Sequence, residues 1–261
     1  PLRQTFSLTV YNGNPAGAEH IVSTLLQAYC REHMELFIVR RNFNSIYADG
    51  SDLLQQLQAQ TKVTLFEQDK ETGLQELFER LMAIMGERMQ LRNEFVQQNG
   101  LTRGDPQNTV RAFEYIHAHS TPLMVIFENY YEFAKSLYDG QAVMFAELFR
   151  AQDPNTTSKK NNGYGYNIYY TACFGPGEYT LTAAQTPMAD CFNPQKFTLM
   201  FGGQLDKCGA VPLPRDYLAI NEPDEHYNHC VMYYQGRLAG LSLPCGELVH
   251  VEPDPDEVPI I

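Results

Sequence analysis

Eight residues, Asn12, Gly13, Asn14, Pro15, Ala16, Gly17, Ala18 and Glu19, stand where a strand-like segment gives way to a helix-like one. At such a junction a chain can present backbone amides and a helix N-terminus to an anion. A phosphate-binding loop there would read G-x-x-x-x-G-K-[ST]: amides cradle the phosphates, the lysine neutralises their charge and the hydroxyl holds magnesium. In that register Asn12 stands at the first glycine, Gly17 at the second, Ala18 at the lysine and Glu19 at the hydroxyl. The loop shape can persist while the phosphate chemistry is missing. Glu19 would put a carboxylate in the first helical turn, where the macrodipole favours an anion and the charge opposes a nucleotide. The expectation is that Glu19 itself fills the anion position.

A second constellation is the run LMVIFEN, residues 123–129. In a nucleotide hydrolase a strand of this kind ends in an acid that holds magnesium through water, followed by a second acid that polarises the attacking water. Glu128 can serve as the first, but Asn129 cannot act as a base. His226, His229 and Cys230 offer a third set of polar ligands; with no second cluster at ligand spacing, a turn entering a strand accounts for them better than a metal site, and no metal is expected. Lys159-Lys160, an adjacent lysine pair in a polar segment, reads as a solvated loop tip.

The elements that must position these residues follow from periodicity. Phe6 to Tyr11 reads as a strand, and helical spacing takes over with Ile21, Leu25 and Ala28 on one face and Asn14 or a neighbour as its cap. Leu36 to Val39 and Val63 to Phe66 are apolar runs of buried-strand length, with a short helix between them over Asp52 to Gln60. Leu74, Leu77, Phe78, Leu81, Ile84, Met85 and Met89 predict a long amphipathic helix within 74–95, on whose solvated face Arg80, Arg88 and Arg92 are expected. After a loop to Asn108 and a shorter helix over Val110 to His117, Leu123 to Phe127 reads as a fully buried central strand. Tyr130 to Arg150 reads as mostly helical, and Asp153 to Gly165 as a polar loop. Further strands are expected at 166–174, 196–201, 229–234 and 237–243. Strands alternating with helices predict an α/β fold with a mostly parallel sheet flanked by helices, and a small β-rich segment closing the chain. A single domain over 1–250 with an acidic tail at 251–261 fits this pattern.

Composition narrows the function. The chain has 261 residues, 44% hydrophobic and 19% charged, with 19 basic against 31 acidic side chains and a net charge of -12. That balance argues against a surface that wraps nucleic acid, and so against a DNA translocase. No continuous apolar run reaches spanning length, so no insertion into a membrane is expected. The six cysteines, at 30, 173, 191, 208, 230 and 245, form no C-x-x-C pair, which favours reduced thiols. The chain opens at Pro1 with neither an initiator methionine nor a signal-peptide pattern, which suggests a piece of something longer.

The runs NIYYTACFGPGEY at 167–179, FNPQKFTLMFGGQLDKCGAVPLPRDY at 192–217 and YYQGRLAGLSLPCGEL at 233–248 resemble the end of the FtsK/SpoIIIE-type ATPase domains in the EssC membrane protein of Firmicutes type VII secretion systems. The 12–19 loop, the 74–95 helix and the IFENYYEF strand end fall where those domains carry their Walker A loop, long helix and Walker B strand. The resemblance is to the last of the tandem domains. It implies a RecA-like P-loop NTPase fold, a place on the cytoplasmic side of the membrane as part of a membrane-anchored parent, and neighbouring ATPase domains in the same parent chain. The partners it implies are secreted helical proteins of the WXG and LXG classes or their adaptors. The chain departs from the family at Ala18, Glu19, Glu128 and Asn129. Losing the lysine and adding an opposing charge would each cost on the order of 1 to 3 kcal/mol of phosphate affinity. The expectation is therefore a catalytically degenerate domain, with no catalytic residue assigned and ATP and magnesium bound weakly or not at all. The alternative is a divergent ATPase completed by neighbouring domains.

Overall fold

The computed structural model describes residues 7–13, 34–41, 43–68, 70–101, 105–151, 165–182, 188, 191–192, 194, 197–218 and 229–242. Their strands form one eight-stranded sheet in the order β3-β2-β4-β5-β1-β6-β7-β8. The strands are β1 (Ser7–Asn12), β2 (Glu35–Arg40), β3 (Val63–Glu67), β4 (Leu123–Phe127), β5 (Ile168–Phe174), β6 (Phe197–Phe201), β7 (His229–Tyr234) and β8 (Arg237–Ser242). The pairs from β3 through to β6 are parallel, whereas β6–β7 and β7–β8 are antiparallel. The β-rich closing segment is thus an extension of the main sheet at one edge. The expectation of a mostly parallel α/β sheet with flanking helices holds.

β4 shows why the apolar run predicts a central strand. All five of its side chains are buried: Leu123, Val125 and Phe127 enter one core, and Met124 and Ile126 enter another on the opposite face. A strand that alternates between two cores has no polar face to expose, so its sequence is apolar throughout. Each such side chain contributes about 1.5 to 3 kcal/mol on full burial.

The helices among the described residues divide between the two faces. On one side lies α1 (Asp52–Gln60), started by Ser51, whose Oγ accepts from the Leu54 amide at 3.3 Å, with Leu53 and Leu57 in the core. On the other lie α2 (Glu71–Gln98), α3 (Pro106–His119), α4 (Tyr130–Ser136) and α5 (Asp139–Ala151). Leu74, Leu77, Leu81 and Met85 of α2 repeat at helical spacing and are buried. α3 starts earlier than periodicity suggests: Asp105 accepts from the Gln107 amide at 2.9 Å and Pro106 occupies the first turn. The stretch 130–150, expected to be mostly helical, is so, and it is made of two helices. Leu137 adopts an extended conformation and packs against the main core, and a new helix begins at Asp139.

Arg88 is a correction. Instead of lying on a solvated face it is 6% exposed, donating Nη1 to the Tyr166 carbonyl and Nη2 to the Thr121 carbonyl, each at 2.7 Å. It ties α2 to the chain entering β4 and β5, and burial pushes its pKa down to about 10. Arg80 is exposed as expected and pairs with Glu76 four residues earlier at 2.7 Å. Arg92 is half-buried.

Two short helices, α6 (Glu178–Thr182) and α7 (Arg215–Leu218), complete the described elements, together with a 3-10 turn at Leu205–Lys207. Cys173, Cys191, Cys208 and Cys230 form no disulfide among the described residues. Among the described residues no helix is long and apolar enough to cross a membrane.

Candidate nucleotide-type site at the carboxyl ends of the strands

In a parallel sheet, ligands are bound outside the carboxyl ends of the strands, because the loops and helix N-termini converge there. β5 lies between β1 and β4, so its end stands between the strand that leads into the 12–19 loop and the strand that ends in Glu128. Register places Tyr11 opposite Phe174 and Phe127 opposite Ala172. The sequence-predicted candidates at 12–13 and 128–129 therefore share one edge. Asn14, Pro15, Ala16, Gly17, Ala18 and Glu19 lie outside the described residues, as do His226 and Lys159-Lys160.

Gly13 is the best-fixed part of the loop. Its amide donates to the Phe201 carbonyl at 2.8 Å, and Gln204 Nε2 donates to its carbonyl at 2.9 Å. A Cβ at this position would sit 2.0 Å from the Gly203 carbonyl oxygen, so glycine is required by the close approach of two backbones. Gln204, in the left-handed region at φ 48°, also accepts at its carbonyl from the Tyr11 hydroxyl at 2.5 Å. Burial pushes that phenol well above its ordinary range, so it remains a donor. β1 and β6 are thus fastened to each other just where the loop begins.

Glu128 faces the other way, toward β2. Its Oε2 accepts from the Arg41 amide and the Ser45 hydroxyl, each at 2.7 Å, and its Oε1 accepts from the Ile46 amide at 2.8 Å. The residues that supply and flank these donors are tied to one another. Ser45 Oγ accepts from the Tyr47 amide at 3.0 Å, Ser51 Oγ donates to the Ile46 carbonyl at 3.1 Å, and Arg40 Nη1 donates to the Tyr47 carbonyl at 2.9 Å. The Glu128 amide closes the assembly by donating to the Val39 carbonyl at 3.0 Å. Three charge-assisted hydrogen bonds of this length make the carboxylate a strong tie between β4 and the loop after β2.

Asn129 is 2% exposed and fully engaged. Its Oδ1 accepts from the Glu132 amide at 2.9 Å, capping α4, and its Nδ2 donates to Glu178 Oε1 at 2.9 Å. Glu178 comes from the turn after β5, and its Oε2 accepts from the Gly175 amide at 2.5 Å. Gly177, at φ 77°, lets the chain turn back, and its amide donates to the Lys207 carbonyl at 2.9 Å. Sequence reasoning placed an acid at 128 and missed one at 178. The signal available was the Gly175-Pro176-Gly177 turn, which leads straight into Glu178 at a strand end.

Behind this edge lies Cys173. Burial, with Glu128 nearby, pushes its thiol up to about 12, so it carries no thiolate chemistry at neutral pH. Cys230 is buried against the core beside β1 and β6, and burial raises it to about 12 as well. Among the described residues no group of three His, Cys, Asp or Glu is arranged to hold a metal ion.

No protein-family model matches the chain, and no curated protein matches it in sequence. Solved structures do share its fold. The pCW3 conjugation coupling protein TcpA, in its monomer form with ATPγS, superposes with a TM-score of 0.55 at 12% identity, over 94% of this chain and 61% of that one. The cytoplasmic domain of the Thermomonospora curvata type VII secretion ATPase EccC gives 0.55 at 11% identity, over 92% of this chain and 25% of that one. ATPases 2 and 3 of the same EccC, in complex with a signal sequence peptide, give 0.51 at 14% identity, over 91% and 38%. The architecture is that of these ATPases, and this chain spans less than two-thirds of the length of each.

Proposed function

We propose that the chain is an ATPase-like, catalytically degenerate domain of a type VII secretion translocase of the EssC kind, acting in substrate recognition or in regulating neighbouring ATPase domains. The observation that carries this reading is the state of Glu128: both of its oxygens accept from donors of the 41–46 loop, so the acid that would hold magnesium is committed to the fold. Asn129 is likewise spent on a helix cap and on Glu178. The described residues at this edge do not fit a magnesium–nucleotide complex. Ala18 and Glu19 in place of the lysine and hydroxyl residue support the same reading. The fold shared with a type VII secretion ATPase supports the setting.

On this reading residues 1–250 form the domain and 251–261 an acidic tail, on the cytoplasmic side of the membrane as part of a membrane-anchored parent. Secreted helical proteins of the WXG or LXG type, or their adaptors, are the cargo, and the net charge of -12 favours a protein partner over nucleic acid. Isothermal titration with ATP and magnesium, paired with a turnover assay, tests it. The expected result is no binding in the micromolar range and no turnover. Micromolar binding with turnover that disappears in Glu128→Ala would overturn it.

One observation favours the second reading, a divergent ATPase completed by neighbouring domains. Glu178 places a carboxylate beside Asn129, where the second acid is missing from the sequence. Turnover by the chain joined to its neighbouring domains discriminates, and this reading fails if Glu178→Gln and Glu128→Gln both leave the rate unchanged.

A further inference from the structure

The loop after β2 supplies more hydrogen-bond donors than Glu128 uses. The Arg41 amide, the Ser45 hydroxyl and the Ile46 amide converge on its carboxylate, two backbone donors and one side-chain donor within reach of a single small oxyanion. Two further donors stand unused. Tyr47 is completely buried, yet its hydroxyl has no hydrogen-bond partner among the described residues, and Cys173 and Glu128 are its electrostatic neighbours. Arg41 Nε is buried without a partner, and its guanidinium forms no ion pair among the described residues while acting on the same Cys173. A buried hydroxyl and a buried guanidinium nitrogen left unpaired are costly unless something accepts from them.

We propose that Arg41, Ser45, Ile46 and Tyr47 form an oxyanion cradle whose resident ligand is the chain's own Glu128, and that a small external oxyanion, carboxylate or phosphate, occupies it when that side chain is removed. Filling the cradle from within fixes the loop after β2 without any bound ligand. The proposal goes beyond the reading above and stands apart from it, since no step of it involves a nucleotide.

Amide exchange over 41–47 and thermal unfolding test it, measured on the chain and on Glu128→Ala, Glu128→Gln and Ser45→Ala, each alone and with excess acetate or inorganic phosphate. Losing the carboxylate should speed exchange at Arg41 and Ile46 on the order of tenfold in Glu128→Ala, the scale of one lost charged hydrogen bond. Acetate, phosphate or both should restore protection there. Acetate alone would define a carboxylate cradle, and phosphate a wider one. Glu128→Gln keeps the space filled and should gain no more than the unaltered chain does from the general salt effect. Absence of rescue by either anion, or equal gains in Glu128→Ala and the unaltered chain, overturns the proposal. Ser45→Ala removes one donor with little change of volume, so unchanged exchange at 41–47 in that variant also overturns it, even should Glu128→Ala fail to fold.

Discussion

Asn129 and Glu178 are joined by a hydrogen bond of 2.9 Å across the ends of β4 and β5, with the amide donating and the carboxylate accepting. Asparagine here does what an acid could not, because it caps α4 through one atom and holds a neighbouring carboxylate through the other. Asn129→Asp keeps the cap and replaces the donor with a second negative charge. At neutral pH the variant should lose about 1 to 3 kcal/mol. Repulsion raises the folded pKa of the acid pair above its unfolded value, so the folded state binds more protons and the loss shrinks as pH falls toward about 4. Urea denaturation at neutral and acidic pH checks the sign.

Gly13→Ala brings a methyl group against backbone that cannot move aside like a flexible side chain, since Gly203 and Phe201 both present carbonyl oxygens to it. A loss of about 2 kcal/mol or more is expected. Gly203→Ala meets a different obstacle, its φ of 76°, and should cost about 1 to 2 kcal/mol. Chemical denaturation of the two variants separates collision from backbone strain.

Arg88→Leu leaves the Tyr166 and Thr121 carbonyls without their donor at the amino ends of β5 and β4. The expected cost is about 2 to 5 kcal/mol. Arg88→Lys can reach one carbonyl and should cost less. Because this tie lies at the opposite end of the strands from Glu128, exchange protection over 41–47 should be unchanged in the lysine variant.

The residues that organise the sheet were legible because burial on two faces leaves an unmistakable apolar run, as in Leu123 to Phe127. Two kinds of feature were not. Arg88 shares the spacing of charged residues on an exposed helix face, and only the two backbone carbonyls it meets, 33 and 78 residues away, distinguish it from its neighbours. Glu128 reads as a metal-type acid from local sequence, while two of its three donors are backbone amides more than 80 residues earlier, and a backbone amide carries no residue-type signature. The break after Ser136 was hidden for a related reason: Leu137 is a good helix former that leaves the helix to satisfy the core.

The thiols give a pH dependence whose direction is fixed by burial. Cys173 and Cys230 are raised to about 12 and Cys208 to about 11, from an ordinary value of 9.0. Between pH 9 and 11 the unfolded chain therefore releases thiol protons that the folded chain keeps, so stability should fall as pH rises through that window and not below it. Iodoacetamide labelling read by mass spectrometry should find these three thiols slow to react at pH 8 until denaturant is added.

β1 sits in the interior of the sheet, but both of its neighbours come from much later in the chain; the bond from Tyr11 to the Gln204 carbonyl spans 193 residues. During synthesis Leu8 and Val10 are made early and stay without strand partners until β5 and β6 have emerged. Closing so long a loop must precede the contacts that reward it, a topology that slows folding. Any truncation that ends ahead of Phe197 removes β6 and leaves β1 as an open edge, ready to pair with another chain.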